Sequence, residues 1–316
     1  MTGFATAFRN RCCRVGVWLT LAFAFASPAS GQQSRSVRGP IIDVHMHGGP
    51  ARSSSHYSND GEFLQYTLAE MERFGVVLAL TSVRHAERYA ERWRTADPER
   101  LVVGPQLTWD TPWPDTVLAR REYAAGRFGV MGEVGYVYLG LPPTDARVEA
   151  LFALAHEFDV PVAAHIGRRR AEARPPGCCP DFNDDYGDPA LLRPILDRYP
   201  GLRLYLLHVG GVDSYFENAI ALMRDYPNVY ADMSVIAMRA PREVFYANLR
   251  RLMREGLLDR IMFGSDGPEF IAPHVEAFEA IPFLTEQQRR GIFYENAARF
   301  LRLSPEQMEL HRARTK

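Results

Sequence analysis

Eight short runs of apolar and β-branched residues recur along the chain, each followed by a longer amphipathic stretch, and this alternation restricts the fold more than any other feature. The runs are Ile41–His47, Val76–Ser82, Leu101–Trp109, Gly129–Tyr136, Val160–Gly167, Leu202–Gly210, Asn228–Val235 and Arg260–Asp266. Between them lie helical patterns. In Thr144–Phe158 the apolar residues Val148, Leu151, Phe152, Leu154 and Ala155 recur at helical spacing, and Ser214–Tyr226 and Arg242–Leu257 precede the last two strands. Pro200-Gly201 and Pro227-Asn228 mark helix-to-strand joints. Strands that alternate with helices pair in parallel, because each crossover helix carries the chain back to the same end of the sheet. Eight such units match the size of a (β/α)8 barrel, which takes about 250 residues. The expected fold is therefore α/β, a single-domain TIM barrel. An open doubly wound sheet is the alternative. It usually carries a glycine-rich phosphate loop after its first strand, and His47-Gly48-Gly49-Pro50 lacks the helix-entry spacing for one.

The barrel pattern begins at Ile41, and residues 1–31 read as a secretory signal peptide. Arg9, Arg11 and Arg14 form a basic head, Val15–Ala26 is a run of 12 apolar or near-apolar residues, and Ser27-Pro28-Ala29-Ser30-Gly31 supplies small residues for cleavage. The apolar run is short for a membrane span, which needs about 20 residues. The expectation is an exported protein, periplasmic or secreted, with no stable membrane span after cleavage. Residues 32–40 would form a short N-terminal segment, and residues 304–316 a C-terminal tail. The cysteines left after cleavage, Cys178 and Cys179, are adjacent. They can form a vicinal disulfide but cannot staple distant elements, so the fold must rest on its core.

Composition narrows the chemistry. Lys316, the last residue, is the only lysine among 37 basic residues. Schiff-base catalysis, pyridoxal phosphate attachment and a phosphate-binding P-loop all need a positioned lysine amine, so all three are excluded. A formal net charge of −1 speaks against a nucleic-acid partner, since phosphate backbones are held by clustered positive charge. A small-molecule substrate is expected, and a homo-oligomer stays open.

Ionisable residues collect at the ends of the apolar runs. Strict alternation along Ile41-Ile42-Asp43-Val44-His45-Met46-His47 places Asp43, His45 and His47 on one face. Two imidazoles two residues apart on a strand can reach one cation, or can be hydrogen-bonded core residues. The other strands repeat the pattern: Glu133 on the fourth, His165 at the end of the fifth, His208 at the end of the sixth and Asp266 at the end of the eighth. In a barrel these ends converge on one mouth, where active sites form. Buried charge without a partner is costly, so a bound cation accounts for the set better than a structural hydrogen-bond network does.

The set His45-x-His47, His165, His208 and Asp266 resembles the metal centre of the amidohydrolase superfamily. Finer features resemble its amidohydrolase-related (amidohydrolase 2) branch: His208-Val-Gly-Gly, Tyr226-Pro-Asn-Val-Tyr-Ala-Asp232, Phe263-Gly-Ser-Asp266-Gly-Pro268 and Glu295-Asn-Ala-Ala-Arg-Phe-Leu301. The match runs from Ile41 to about Leu303. The resemblance implies a metal-dependent barrel enzyme, most often a hydrolase of amide, ester or lactone bonds, and the branch also contains non-oxidative decarboxylases. A catalytically inactive binding protein on the same scaffold is a further alternative. By the resemblance, His45, His47, His165 and Asp266 would hold one divalent ion, with zinc suited to nitrogen-rich ligation. Asp266 would move a proton and His208 would orient or polarise a substrate carbonyl. Superfamily sites with two metals often bridge them through a carboxylated lysine on strand four. No lysine is available here, so a second ion would lean on Glu133, with His165 and His208 as its ligands. Glu133 as a hydrogen-bond acceptor beside the ligands is the plain alternative.

Substrate contacts would come from the loops after the strands. Arg168-Arg169-Arg170 and Arg174 follow His165, and Arg168 or Arg169 could grip a substrate carboxylate or belong to a solvated charge run. Trp109 and Trp113 could form an apolar wall or a packed loop cover. His56 and His85 read as surface histidines.

Overall fold

The computed structural model describes residues 39–49, 59–168, 178–210 and 215–315. The signal segment 1–31, His56, Arg169, Arg170 and Arg174 lie outside the described residues. The chain runs β1 (Ile41–Gly48), α1 (Asp60–Phe74), β2 (Val76–Val83), α2 (Ala86–Ala96), β3 (Leu101–Pro105), α3 (Thr116–Ala124) and β4 (Met131–Val134). It continues through α4 (Ala146–Glu157), β5 (Val162–His165), α5 (Arg193–Arg198), β6 (Leu204–Leu207), α6 (Phe216–Asp225) and β7 (Val229–Asp232). Helices α7 (Ile236–Arg239) and α8 (Arg242–Arg254) precede β8 (Ile261–Met262). Then come α9 (Ile271–Glu279), α10 (Glu286–Arg290), α11 (Asn296–Phe300) and α12 (Pro305–Arg314).

All eight strands pair in parallel with their sequence neighbours, as β1-β2-β3 and as β4-β5-β6-β7-β8. Backbone bonds beyond the ladders join the two groups on both sides. At one seam Leu107 N–H donates to Glu133 O (2.8 Å), Gly135 N–H to Leu107 O (2.7 Å) and Gly129 N–H to Val103 O (3.0 Å). At the other, Val44 N–H donates to Phe263 O (3.0 Å) and Asp266 N–H to His45 O (2.8 Å). The sheet thus closes on itself as a (β/α)8 barrel. Gly104 is required at the first seam, since a Cβ there would overlap the Val130 carbonyl.

Two apolar layers follow from strand alternation. Ile42, Val44, Leu78, Leu80, Val130, Ala163, Tyr205, Leu207 and Met262 form one buried cluster. Alternate residues such as Ile41, Ala79, Val103, Met131, Ala164, Leu206 and Ala231 join a second cluster with the helix residues. Helix α4 shows how the second layer is built: Val148, Leu151, Phe152, Leu154 and Ala155 are its buried face, and Asp145 caps its start by accepting from Arg147 N–H. Burying a side chain of this kind contributes about 1.5–3 kcal/mol.

Strands β3 to β8 are shorter than the apolar runs that announced them, whereas β1 and β2 each run one residue further, and β6 and β8 end before His208 and Asp266. His208 (φ 63°) and Asp266 (φ 66°) have left-handed backbones, so the chain has already left the ladder where these side chains project. In β1 the pairing with β2 slips between Asp43 and Met46. Strict alternation therefore fails, and Asp43 does not join His45 and His47. Its Oδ1 instead accepts the backbone N–H groups of His45 (3.0 Å) and Ser265 (3.1 Å), stitching β1 to the chain after β8.

Candidate functional site

Six side chains from five strand ends meet at the mouth of the barrel. Their donor atoms form three overlapping groups, each within 4.8 Å: His45, His208 and Asp266; His45, His47 and Glu133; and Glu133, His165 and His208. The structure thus brings together every residue expected as a ligand or catalyst. Asp266 Oδ1 lies 2.9 Å from His47 Nε2 and 3.3 Å from His45 Nε2. Glu133 Oε2 lies 3.6 Å from His47 Nε2, and its Oε1 lies 2.5 Å from His165 Nδ1.

The bonds of the second ring nitrogens fix which nitrogens face the centre. A carboxylate and a carbonyl oxygen can only accept, so the nitrogen beside one carries the proton. His45 Nδ1–H donates to Asp232 Oδ2 (2.9 Å), with Ser234 Oγ beside it (3.0 Å). His208 Nδ1–H donates to Ser234 O (3.2 Å) and Ser234 Oγ (2.9 Å). His165 Nδ1–H donates to Glu133 Oε1. The Nε2 atoms of these three rings therefore keep their lone pairs. Orientation of a ligating histidine by an acceptor behind it is the usual support of a metal centre. Asp232 anchors the arrangement, its Oδ1 accepting from His208 N–H (2.9 Å), Ser234 N–H (2.9 Å) and Ser234 Oγ–H (2.7 Å).

A cation fits this donor set on a specific observation. His45 Nε2 is buried and has no hydrogen-bond partner, yet it lies 3.3 Å from an anionic oxygen of Asp266. Two electron-pair donors face each other there, and only a positive charge between them satisfies both. The electrostatics agree. Burial alone would lower the pKa of His45, but the charges of Asp232, Asp266 and Glu133 raise it to about 9. The field that would hold a second proton on that ring is the field that holds a metal ion. Burial pushes the Asp266 and Glu133 carboxyls up, yet the surrounding histidines outweigh it and hold both below the ordinary carboxylate range. His208 goes the other way, lowered to about 4 by burial and by the nearby His165 and His45.

The expected substrate residues are placed less centrally. Arg168 is exposed, its Nε and Nη2 donating to Tyr215 Oη (both 3.1 Å) with the guanidinium over the ring. Trp109 is half-buried and packs on Tyr138, ring centroids 5.2 Å apart, and Tyr138 packs on His165 at 4.6 Å. Trp113 lies under the Arg147 guanidinium. The sulfurs of Cys178 and Cys179 are bonded to each other.

Several contributors carry no role in the sequence reading. Asp232 ends β7 inside an apolar run, the same signal that marks His165, so its strand position could have found it. Gln106 donates to His47 Nδ1 (3.1 Å) and Glu133 Oε2 (3.1 Å), and Tyr138 Oη lies 3.1 Å from His165 Nε2. Neutral side chains such as these and Ser234 give no ionisable signal.

Comparison with known proteins follows the same lines. The sequence model of the amidohydrolase family matches residues 42–303. No curated protein matches the chain. Among solved structures, an uncharacterised TIM-barrel protein of Bordetella bronchiseptica is 18% identical with a TM-score of 0.60, over 85% of this chain and 99% of that one. A probable 2-pyrone-4,6-dicarboxylic acid hydrolase of Acinetobacter baumannii, with citric acid bound, is 14% identical with a TM-score of 0.59, over 83% and 99%. A 5-carboxyvanillate decarboxylase of Novosphingobium aromaticivorans, with bound manganese and a nitrobenzoic acid, is 15% identical with a TM-score of 0.58, over 85% and 98%.

Proposed function

The chain belongs to the amidohydrolase family, a family of metal-dependent enzymes, and from that premise we propose that it hydrolyses an amide, ester or lactone bond of a small organic substrate. The observation that carries the reading is the buried lone pair of His45 Nε2 set against Asp266, with two more unprotonated Nε2 atoms alongside. In this reading His45, His47, His165 and Asp266 hold one divalent ion, and zinc suits a site richest in imidazole. Bound there, such an ion supplies Lewis-acid chemistry, lowering the pKa of water and polarising a carbonyl oxygen.

The protein groups then divide the work. Asp266 is held ionised by its histidine neighbours, so it can accept a proton from an attacking water and deliver it to the leaving group. His208 is held neutral with the Nε2 lone pair directed at the centre, so it can orient a substrate by accepting from an N–H or O–H, and it cannot polarise a carbonyl oxygen as the sequence suggested. Glu133, within the cluster, fixes the ring of His165 by accepting from its Nδ1–H. Trp109 provides an apolar wall next to Tyr138, and Arg168 is the proposed grip for a substrate carboxylate. We also propose export, on the basic head and apolar run that precede the barrel.

A substrate panel tests this directly. Lactones, esters and amides are followed by proton release, and aromatic carboxylates by CO2 release, with wild-type protein and Asp266→Asn. Hydrolysis by the wild type, reduced about a thousandfold or more in a folded Asp266→Asn variant, is expected, the scale set by general-base loss. Release of CO2 without hydrolysis would move the reading to non-oxidative decarboxylation, and equal turnover by both proteins would remove Asp266 from the proton path.

A further inference from the structure

His274 has no place in the chemistry above, yet it is fully buried and both of its ring nitrogens are engaged. Nδ1 lies 2.7 Å from the carbonyl oxygen of Phe270, which can only accept, so Nδ1 carries the proton. Nε2 therefore keeps its lone pair, and it accepts the backbone N–H of Val235 at 2.8 Å. The tautomer follows from these two partners alone.

The backbone that His274 grips is unusual. Val235 is held at φ 66° and ψ −46°, and Ile236 N–H donates to Ser234 O across it at 2.6 Å. This is a γ-turn of the rarer, strained hand. Among the described non-glycine residues with positive φ, Val235 is the only β-branched one. Valine disfavours this conformation strongly, so something outside the turn must hold it. His274, from helix α9, supplies that hold.

What the turn aims is Ser234. Its Oγ and carbonyl oxygen both accept from His208 Nδ1, at 2.9 and 3.2 Å. His45 also touches Ser234 Oγ, but Asp232 Oδ2 anchors its Nδ1 independently at 2.9 Å. The ring of His208 leans on Ser234 alone among the described residues that accept from it. We propose that His274 is a positioning residue for His208: by clamping Val235 in the turn it sets Ser234, and through Ser234 the direction of His208 Nε2. The proposal rests on the hydrolase reading only for what His208 does to substrate, and its geometric part stands without it.

Three variants in zinc-loaded protein test the clamp. His274→Leu removes the acceptor, and His274→Gln retains one. His274→Leu combined with Val235→Gly makes the clamp unnecessary, because glycine adopts positive φ freely. The readouts are zinc equivalents, the imidazole NMR signals of His208 with His311 as a distant control, and kcat and KM on an ester or lactone that the wild type turns over. In His274→Leu we expect wild-type zinc content, displaced His208 signals with His311 unmoved, and kcat lower by about tenfold to a hundredfold with KM little changed, the cost of a misaimed group. His274→Gln and the double variant should restore both signals and kcat. Unmoved His208 signals in His274→Leu, equal displacement of His311, or failure of both rescues would overturn the proposal. If His274→Leu does not fold, the double variant decides: folded with wild-type His208 signals it upholds the clamp, and unfolded or displaced it overturns it. Should the wild type turn over no panel member while the NMR signals behave as stated, the hydrolase reading fails and the positioning role stands.

Discussion

His45 and His208 are neighbours, ring centroids 5.0 Å apart, yet their surroundings drive them in opposite directions. Burial favours the neutral form of each. For His45 three carboxylates outweigh burial and raise its pKa to about 9, whereas His208 stays at about 4. Stability then depends on pH in two ways when metal is removed with a chelator. His208 has its folded pKa below the ordinary 6.5, so the unfolded chain takes the proton first. Its contribution is complete above about 6.5 and is lost as the pH falls towards 4. His45 has its folded pKa above 6.5, so its contribution is complete below that value and is lost as the pH rises through about 9. Chelated protein should therefore melt at its highest temperature near pH 6.5, and saturating zinc should abolish the alkaline decline by taking the place of the proton. Melting curves between pH 4 and 9, with and without zinc, check this. An alkaline limb that is flat without metal, or unchanged with it, would show that these fields do not act as described.

At the scale of single elements, the strand ends carry the ionisable cluster and the strand middles carry the fold. Gly264, just past β8, shows how tightly the two are joined. A Cβ there would stand 2.7 Å from Asp232 Oδ2 and 2.8 Å from His45 Cβ. Gly264→Ala should therefore destabilise the protein by about 1–3 kcal/mol through overpacking and weaken zinc retention together. Urea unfolding and metal analysis read both effects, and a variant equal to wild type in both would contradict this packing. The strand middles were plain in the sequence because apolar, β-branched runs leave few other options. The ends were legible only in part. His45, His47, Glu133, His165, His208 and Asp266 stood out as ionisable groups in apolar runs, and the structure gathers them at one mouth. The slip in β1 that separates Asp43 from them is a register effect between strands, which one strand's pattern does not contain. Ser234 and Gln106 are neutral, and His274 sits in a helix and reaches the site through a backbone N–H. No spacing rule points to such a contact.

Across the whole molecule, closure of the sheet is what brings five separate strand ends together in one cluster. Residues as far apart in sequence as His47 and Asp266 come within 2.9 Å because the last strand returns to the first. The near-absence of lysine fits this architecture: no carboxylated lysine can bridge two metals, and a carboxylate, Glu133, occupies the strand-four position instead. Coordination at such a site couples distant strands, so metal should stabilise the barrel as a unit, by about 4 kcal/mol when free metal is a thousandfold above its Kd. The central claim is that the cluster at the barrel mouth is a metal centre, and elemental analysis of protein purified without chelators, paired with thermal melts, tests it most directly. About one equivalent of a divalent transition metal per chain, a lower melting temperature after chelation and its recovery with zinc are expected. Less than about 0.2 equivalents, with no rise in melting temperature on adding zinc, would contradict it.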